Sequence, residues 1–305
     1  MAGQILSTNF QKDLLPGVQK FFGLAYPNWE SKYDKFMNVD KVSERYQEDV
    51  LGAGLGIAAV KPEGAPVKYD TMSQGWTKRY EQVVYATGFV ISREARDDGH
   101  ALKLAQIGAT QAKRALSVTR EIVCANILNN AFTAGNTGGD GSILCVTTHP
   151  TKMAGNLQNT LTTASDFCEA ALEQAAIDIM NQVDDRNIKM FINPKKLVLP
   201  VALRFEAHRV LNSVRQVYTA DNTPNALKDL DVLTGSEPVI NPYITGSSTY
   251  FIITDAEKGL RYLERDAMEM TEDGDFDTEN AKYKGRIRFV TGWSDWRGVY
   301  GVNGP

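Results

Sequence analysis

Histidine and cysteine, the residues that most often carry catalysis or hold metal ions, are scarce in this chain of 305 residues, with three of each. The histidines form no His-x-x-x-His pair and lie beside no nucleophile motif, so we expect each to be structural. The cysteines are too few and too far apart for a disulfide framework or a zinc site, and we expect buried thiols in a reducing compartment. These residues are His100, His149, His208, Cys124, Cys145 and Cys168.

Long apolar runs and an excess of positive charge are absent as well. No stretch approaches the roughly eighteen consecutive apolar residues of a membrane-spanning helix, and the first residues do not have the pattern of a signal peptide. The formal net charge of -4 argues against a DNA-binding surface, because phosphate binding needs clustered lysine and arginine. Since 43% of the residues are hydrophobic and 23% are charged, we expect an ordinary folded protein that neither spans a membrane nor is secreted.

Two segments look like ligand-binding motifs, but neither fits. Acidic residues recur at every second position from Asp273 to Glu279. Counted as a calcium loop from Asp273, they place Thr278 and Lys284 where glycine and a bidentate glutamate are required. The glycine-rich segment 135–141 follows a helical pattern and lacks the Gly-Lys-Ser/Thr ending of a phosphate-binding loop. We therefore expect a solvated acidic turn and a linker, and no catalytic, cofactor or metal site.

One segment, residues 97–132, predicts an unusually long helix of roughly 50 Å at 1.5 Å per residue. Asp97 and Asp98 favour its N-terminus, and Gly135 favours a left-handed C-terminal cap. Apolar residues recur every three or four positions along one stripe, and small residues such as Gly108 would let a sheet approach closely. The stripe consists of Leu102, Ala105, Ala109, Ala112, Leu116, Thr119, Val123, Ile127 and Ala131.

Three further segments carry surfaces that they cannot bury by themselves. Residues 1–45 are rich in aromatic side chains but broken by proline and glycine, so they should lie on another surface, in the same chain or in a neighbour. Residues 46–91 predict a long hairpin with a polar tip. Residues 260–290 predict a second hairpin with an acidic turn and a basic return strand. Such elements need neighbours, which favours repeated contacts between subunits.

Helices and apolar strands alternate in the middle of the chain, which predicts a compact α+β domain. Ser165 is the expected N-cap of the first of these helices. The predicted elements are a strand at 143–147, a helix at 164–183, a strand at 189–193, a helix at 201–213 and a strand at 250–254.

The order of these segments resembles the major capsid protein fold named after phage Hong Kong 97, and most of all the major head subunits of Mu-like phages. The most specific segments are WTKRYEQVVYATGFVISRE at 76–94 and DFDTENAKYKGRIR at 275–288. The resemblance implies an α+β, Hong Kong 97-like fold with a long spine helix. The implied divisions are an N-terminal arm at 1–45, an extended loop at 46–91, a peripheral domain at 92–134 and 256–287, and an axial domain at 135–255 and 288–305.

The same resemblance implies a structural function and no enzyme activity. The protein would be the self-assembling major capsid protein of an icosahedral tailed-phage head that encloses double-stranded DNA without specific binding. Its copies would form hexamers and pentamers, with a separate scaffolding protein and a portal as partners and no membrane. It would be assembled in the bacterial host cytoplasm and remain in the virion. Candidate contacts between subunits are Phe21, Phe22, Trp29, Lys61, Glu63, Lys68, Asp275, Asp277, Arg286 and Arg288.

Two other functions fit the same residues. An encapsulin-like shell of this fold would enclose protein cargo, and an oligomeric metal-dependent enzyme would use the acidic turn. The contents of purified particles separate the first two, whereas calcium or magnesium binding that is lost in Asp275→Ala would favour the enzyme. The architecture itself has one strict requirement: the hairpin at 260–290 must lie along the helix at 102–131.

Overall fold

The computed structural model describes residues 4–5, 30–95, 97, 101–151, 153–216, 224–229, 233 and 237–304. The helices in these ranges are α1 Arg93–Ala95, α2 Ala101–Asn129, α3 Glu169–Met180, α4 Arg204–Asn212 and α5 Ala226–Asp229. The strands are β1 Gln4–Ile5, β2 Asn38–Lys41, β3 Tyr46–Ala53, β4 Ser73–Glu81, β5 Val83–Ile91, β6 His149–Pro150, β7 Asn156–Leu157, β8 Pro194–Leu199, β9 Val239–Ile240, β10 Tyr250–Thr254, β11 Leu260–Gly274, β12 Ala281–Trp293 and β13 Val299–Val302.

The largest sheet contains five strands in the order β1-β5-β12-β11-β2. β12 pairs antiparallel with both β5 and β11, while β1 and β2 add short parallel edges. Buried Gly285, Ile287 and Phe289 alternate on β12 with half-buried Arg286 and Arg288. This period of two gives the sheet one apolar face and one charged face.

Helix α2 lies along the apolar face of this sheet and contacts β12, β5 and β11. Its 29 residues span about 44 Å. Leu116 and Leu128 are buried in one core cluster with Ile287 and Phe289. The hairpin of β11 and β12, here called the tail hairpin, therefore lies along the long helix, and the required contact is confirmed. The sheet also approaches the helix closely, as predicted.

The predicted helix bounds need correction. The helix ends at Asn129, three residues before Phe132, because the chain turns there and the Ala131 carbonyl accepts instead from the Cys145 N–H. Gly135 has the expected positive φ of 109° but follows this turn. The buried stripe also differs from the predicted one, since Thr119 and Val123 are only half-buried whereas Cys124 and Leu128 are buried. The proposed N-cap residue Asp98 lies outside the described residues.

Gly108 provides a test of how closely helix and sheet approach. A Cβ at this position would lie 2.5 Å from a ring carbon of Phe89 on β5. Glycine to alanine inside a helix ordinarily stabilises by about 0.5–1 kcal/mol. Here we expect Gly108→Ala to destabilise by about 1–2 kcal/mol in urea unfolding, because the added methyl overpacks the contact. Thr110→Ala, exposed on the same helix, serves as the control, and a stabilised Gly108→Ala would contradict the packing.

A second sheet, in the order β13-β10-β8-β9, forms the centre of the other core. The predicted strand at 250–254 is confirmed as β10, and the predicted helices appear as α3 and as α4 preceded by a 3-10 turn. Helix α3 begins later than expected, at Glu169. Ser165 is therefore not its cap, and Cys168 takes the N-cap position without a side-chain hydrogen bond.

Two short strand predictions in this region are wrong. Residues 189–193 form no strand; the paired strand is β8, which begins at Pro194, an end position where a missing N–H is tolerated. Residues 143–147 make only an isolated bridge from Ile143 to Thr137, although Leu144 and Cys145 are buried. The segment is apolar because it is buried, although it does not pair with a neighbouring strand.

The hairpin predicted at 46–91 is shorter in the structure, where it comprises β3, β4 and the residues between them; we call this segment, residues 46–81, the arm. β3 pairs antiparallel with β4, residues 54–72 connect them without regular structure, and β5 leaves the arm to join the five-stranded sheet. Tyr85 and Phe89 lie half-buried on the face of β5 that meets α2, whereas Val84 on the opposite face is 48% exposed. The tip is also not simply polar. Exposed large apolar side chains there are Leu55, Ile57, Val60, Val67, Tyr69 and Met72.

Two of the predicted domain boundaries fall within paired or packed segments of the structure. β12 is continuous through Trp293, so the predicted boundary between residues 287 and 288 would cut a paired strand. Near the N-terminus, residues 30–41 pack on their own chain. Phe36 and Met37 are buried in the core beneath α2, and β2 pairs with β11. Residues 30–41 of the predicted N-terminal arm thus pack into the core of their own subunit.

Candidate inter-subunit surfaces

The root of the arm is fixed to the five-stranded sheet by a buried polar cluster, here called the arm-root cluster. Arg261 on β11 is ion-paired through Nη1 with Asp49 on β3 and through Nη2 with Asp40 at 2.7 Å. Ser294 Oγ donates to Asp49 Oδ2 at 2.5 Å, and Tyr80 OH lies 2.7 Å from the same Ser294 oxygen. Both strands of the arm are therefore tied to the sheet.

The charges of the arm-root cluster support one another. Burial acts to raise the pKa of Asp49, but hydrogen bonds from Ser294 and Arg261 outweigh it, so that this pKa is lowered. Burial likewise acts to lower the pKa of Arg261, and the carboxylates of Asp49 and Asp40 raise it instead. Burial raises the pKa of Tyr80. The Asp49 carboxylate and the Arg261 guanidinium are thus ionised at neutral pH while the Tyr80 phenol is neutral.

Beyond the root, the distal loop of the arm at 54–72 is the most exposed apolar part of the described chain. Val60 is 94% and Tyr69 is 92% exposed. The three predicted contact residues in this loop, Lys61, Glu63 and Lys68, are also exposed. Apolar and charged side chains therefore share one surface that its own subunit does not cover.

The tip of the tail hairpin forms a second exposed surface. Asp275 and Lys282 are joined by an ion pair of 2.5 Å, and the Asp277 N–H donates to Asp275 Oδ1 at 3.3 Å. The hydrogen bond from Lys282 lowers the pKa of Asp275. Phe276, between the two predicted contact residues, is 97% exposed. The acidic turn is therefore an ordered tip that presents an aromatic ring.

Arg286 and Arg288 lie on the sheet face opposite α2. Arg286 Nη2 is 3.0 Å from Asp266 Oδ2 on β11, and Arg288 is the register partner of Asp266 on β11 and of Val84 on β5. Both arginines are half-buried. A basic row thus runs between an acidic row and an apolar row, and Arg286 is paired with Asp266 within the subunit.

The predicted contact residues in the described part of the chain lie on separate surfaces of one subunit. The arm leaves the sheet near Arg261, whereas the tail tip follows Gly274 at the other end of β11, about 40 Å away for a strand of this length. Any contact between the two surfaces would have to join different copies. The predicted contact residues Phe21, Phe22 and Trp29 lie outside the described residues.

Glu121 holds the N-terminal segment to the spine helix. Its Oε1 accepts from Ser31 Oγ and Lys32 N–H, both at 2.8 Å, and from Tyr33 N–H at 3.3 Å. The carboxylate thereby caps the 3-10 turn at Tyr33–Lys35. The sequence holds no signal for this contact, because the partners are about ninety residues apart and a lone glutamate in a helix suggests only a solvated position.

A second buried polar cluster, centred on Asn159, joins the segments at 144–146 and 296–299. Asn159 Nδ2 donates to the carbonyls of Leu144, Trp296 and Val299 at 2.7, 3.2 and 3.0 Å, and its Oδ1 accepts from Val146 N–H at 3.0 Å. We call this the Asn159 cluster. It satisfies backbone groups that no strand or helix pairs, which explains how an irregular segment can be buried.

His149 belongs to the same cluster. Its Nδ1 lies 2.7 Å from Asp140 Oδ2, and its ring stacks on Trp296 with 4.2 Å between centroids. The structural role expected for this histidine is confirmed. Cys124 and Cys145 are buried thiols whose pKa values are raised by burial, as expected, while Cys168 is only half-buried.

The described residues contain no group of three or more histidine, cysteine or acidic side chains that could hold a metal ion. No helix in that part of the chain is long and apolar enough to cross a membrane. What the fold does present is a long sheet packed on one helix, with exposed projections at both ends of the sheet. These features define a structural subunit that is built to contact other protein surfaces.

A family model described as phage capsid protein matches residues 76–302, about three quarters of the chain. The chain therefore belongs to the phage capsid protein family. It is a structural component of the virion, and not an enzyme. No curated protein is similar enough in sequence to match.

Solved structures confirm the fold. The capsid of a native GTA particle is 14% identical, with 99% of each chain covered and a TM-score of 0.58. The capsid of Cyanophage P-SCSP1u is 10% identical, covers 95% of this chain and 93% of its own, and has a TM-score of 0.56. Mycobacterium phage Adephagia gives 13% identity, 99% of each chain and a TM-score of 0.55. This is the predicted Hong Kong 97-like fold, in which copies assemble into a shell.

Proposed function

We propose that this protein is the major subunit of an icosahedral tailed-phage head that encloses double-stranded DNA. The family match over residues 76–302 carries the proposal. The exposed arm and tail tip support it, because surfaces at opposite ends of a subunit favour head-to-tail contacts that close into rings and shells. We propose hexamers and pentamers as those rings, with a separate scaffolding protein and a portal as partners during assembly in the bacterial host.

The proposed DNA content agrees with the charge of the chain. A net charge of -4 would let a wall contain DNA without binding it tightly, since affinity for phosphates grows with the number of contacting cations. Electron microscopy of the purified protein, together with nuclease treatment and analysis of the particle contents, tests this proposal. Particles filled with protein and free of nucleic acid would instead favour an encapsulin-like shell.

We propose a domain division based on the strand pairing. The peripheral domain would comprise 83–129 and 260–293, and the axial domain 130–255 and 294–305, with 46–81 as the extended arm. The two segments at 76–94 and 275–288 support a closer relation to Mu-like head subunits within the family. A structure of a Mu-like subunit that fits this chain no better than the capsids above would count against that relation.

Removing the distal loop of the arm is expected to separate folding from assembly. Deleting residues 57–69 and joining the ends with a short Gly-Ser linker keeps β3 and β4 and the arm-root cluster. We expect a subunit whose thermal midpoint changes by less than about 4 °C, the shift that roughly 1 kcal/mol produces in a domain of this size, but no stable particles in electron micrographs. A second variant, with serine at Lys61, Glu63 and Lys68, keeps the apolar side chains and separates the charged contacts of the loop from the apolar ones. Normal heads from the deletion would contradict the role of the loop.

A further inference from the structure

The distal loop of the arm is tied to its own subunit by a compact group of hydrogen bonds. The Asp70 carboxylate accepts from Gly56 N–H, Thr71 N–H and Arg186 Nη1, each at 2.8 Å. Arg186 Nη2 also donates to the Thr71 carbonyl. These bonds, foremost that from Gly56, lower the pKa of Asp70, so the carboxylate is charged at neutral pH. We call Gly56, Asp70, Thr71 and Arg186 the loop knot.

Close backbone approach is part of the loop knot. A Cβ at Gly56 would lie 3.1 Å from Asp70 Oδ2 and 3.3 Å from Arg186 Nη1. A side chain at this position would therefore press on both charged groups at once. The two ends of the loop meet at the Asp70 carboxylate, which accepts from Gly56 N–H, and Arg186 binds this carboxylate and the Thr71 carbonyl with its fork of donors.

The backbone of Arg186 belongs to a hydrogen-bonded turn on the body of the subunit. Asp184 Oδ1 accepts from the N–H groups of Arg186 and Ile188, both at 2.8 Å, and Asn187 adopts a φ of 63° in the same turn. The Arg186 side chain is 14% exposed. A preformed turn on the body of the subunit thus presents the anchor, and the arm loop supplies the groups that bind to it.

Residues 57–69 lie between the two ends that the loop knot brings together. Their large apolar side chains stay in solvent: Ile57 is 83% exposed, and Val60 and Tyr69 are more exposed still. Contiguous exposed apolar residues on a monomer usually mark a protein contact. Here they lie on a loop whose ends are fixed.

We propose that Arg186 is a positioning residue for shell assembly. By binding Asp70 and Thr71, Arg186 holds residues 57–69 as a preformed apolar surface, and this surface docks on a second copy of this chain. This inference rests on the proposed function. A second copy is the partner because the family forms shells of identical chains and the surface extends beyond its own subunit. A loop that is already ordered loses less conformational entropy when it docks. The apparent affinity of each contact then depends on the fraction of subunits in which the loop knot is closed.

Two substitutions of Arg186 and one control test the positioning role in full-length subunits. Arg186→Ala removes the anchor, whereas Arg186→Lys keeps the charge but cannot bind Asp70 and Thr71 as a fork. Arg204→Ala, an exposed arginine at the start of α4, is the matched control. The measurements are trypsin cleavage after Lys68 in unassembled subunits, particle yield, and the thermal midpoint.

We expect Arg186→Ala to accelerate cleavage after Lys68 and to reduce particle yield by about tenfold, in proportion to the loss of closed loops. The thermal midpoint should stay close to that of the unaltered protein, because an ion pair near the surface contributes little to global stability. Arg186→Lys should be intermediate, and Arg204→Ala should match the unaltered protein in all three measurements.

The outcomes separate this inference from the proposed function. Unchanged cleavage after Lys68 in Arg186→Ala, or faster cleavage with normal particle yield, would overturn the positioning role while the unaltered protein still assembles. If the unaltered protein forms no particles, the proposed function fails. The proposed role of Arg186 in assembly then fails with it, and the cleavage assay reports only whether Arg186 orders the loop.

Discussion

Replacing Arg261 with alanine is expected to destabilise the subunit by about 4 kcal/mol, because it leaves the buried Asp49 carboxylate without its main counter-charge. Both side chains are less than a tenth exposed. The substitution would also free Asp40 and loosen the contact of β3 with the sheet. Urea unfolding of the unassembled subunit, followed by tryptophan fluorescence, measures the change in the free energy of unfolding.

Two controls separate the effect of leaving a buried charge unpaired from the effect of removing an arginine side chain. Arg79→Ala removes an arginine from the same arm that is 53% exposed, and it should cost less than about 1 kcal/mol. In the double variant Arg261→Met with Asp49→Leu no charge remains unpaired between these two positions, so it should be more stable than Arg261→Ala alone. A loss below 1 kcal/mol in Arg261→Ala would show that the arm-root cluster is not buried as described.

The second large effect is expected at Asn159. Asn159→Ala would leave one backbone N–H and up to three carbonyls without their buried partner, and it should destabilise the subunit by about 3 kcal/mol. Asn159→Asp should also be destabilising, because a carboxylate cannot donate to the carbonyls of Leu144 and Val299. Thermal and urea unfolding measure both variants.

The neighbouring strand supplies a matched control for Asn159. Asn156 on β7 is exposed, so Asn156→Ala should change the free energy of unfolding by no more than about 0.5 kcal/mol. If Asn159→Ala proves equally mild, water must replace the side chain, and the irregular segments around it would not depend on the Asn159 cluster.

The elements that the sequence predicted well are those whose own pattern decides their structure. The helix α2 and the hairpin of β11 and β12 combine a clear period with apolar residues on one face, and β10 is a short continuous apolar run. The contact of helix and hairpin was predictable as well, because both present long apolar surfaces and Gly108 marks a close approach.

The errors arose where burial came without regular pairing. Residues 143–147 look like a strand, but the side chain of Asn159 satisfies much of their backbone. Residues 83–91 read as the return of the arm, because the pattern of an apolar strand does not tell which neighbour it pairs with. Pairing with β12 depends on a segment nearly two hundred residues later.

The sequence by itself indicated an assembling structural subunit through elements that need neighbours, and its resemblance to a known family, carried by the segments at 76–94 and 275–288, implied the fold. Only the tertiary structure decided how the arm is held. Asp49 and Arg261 are 212 positions apart, and Asp70 and Arg186 are 116 apart. No local period links such charged residues, because their energies come from burial and from the geometry that the folded chain creates.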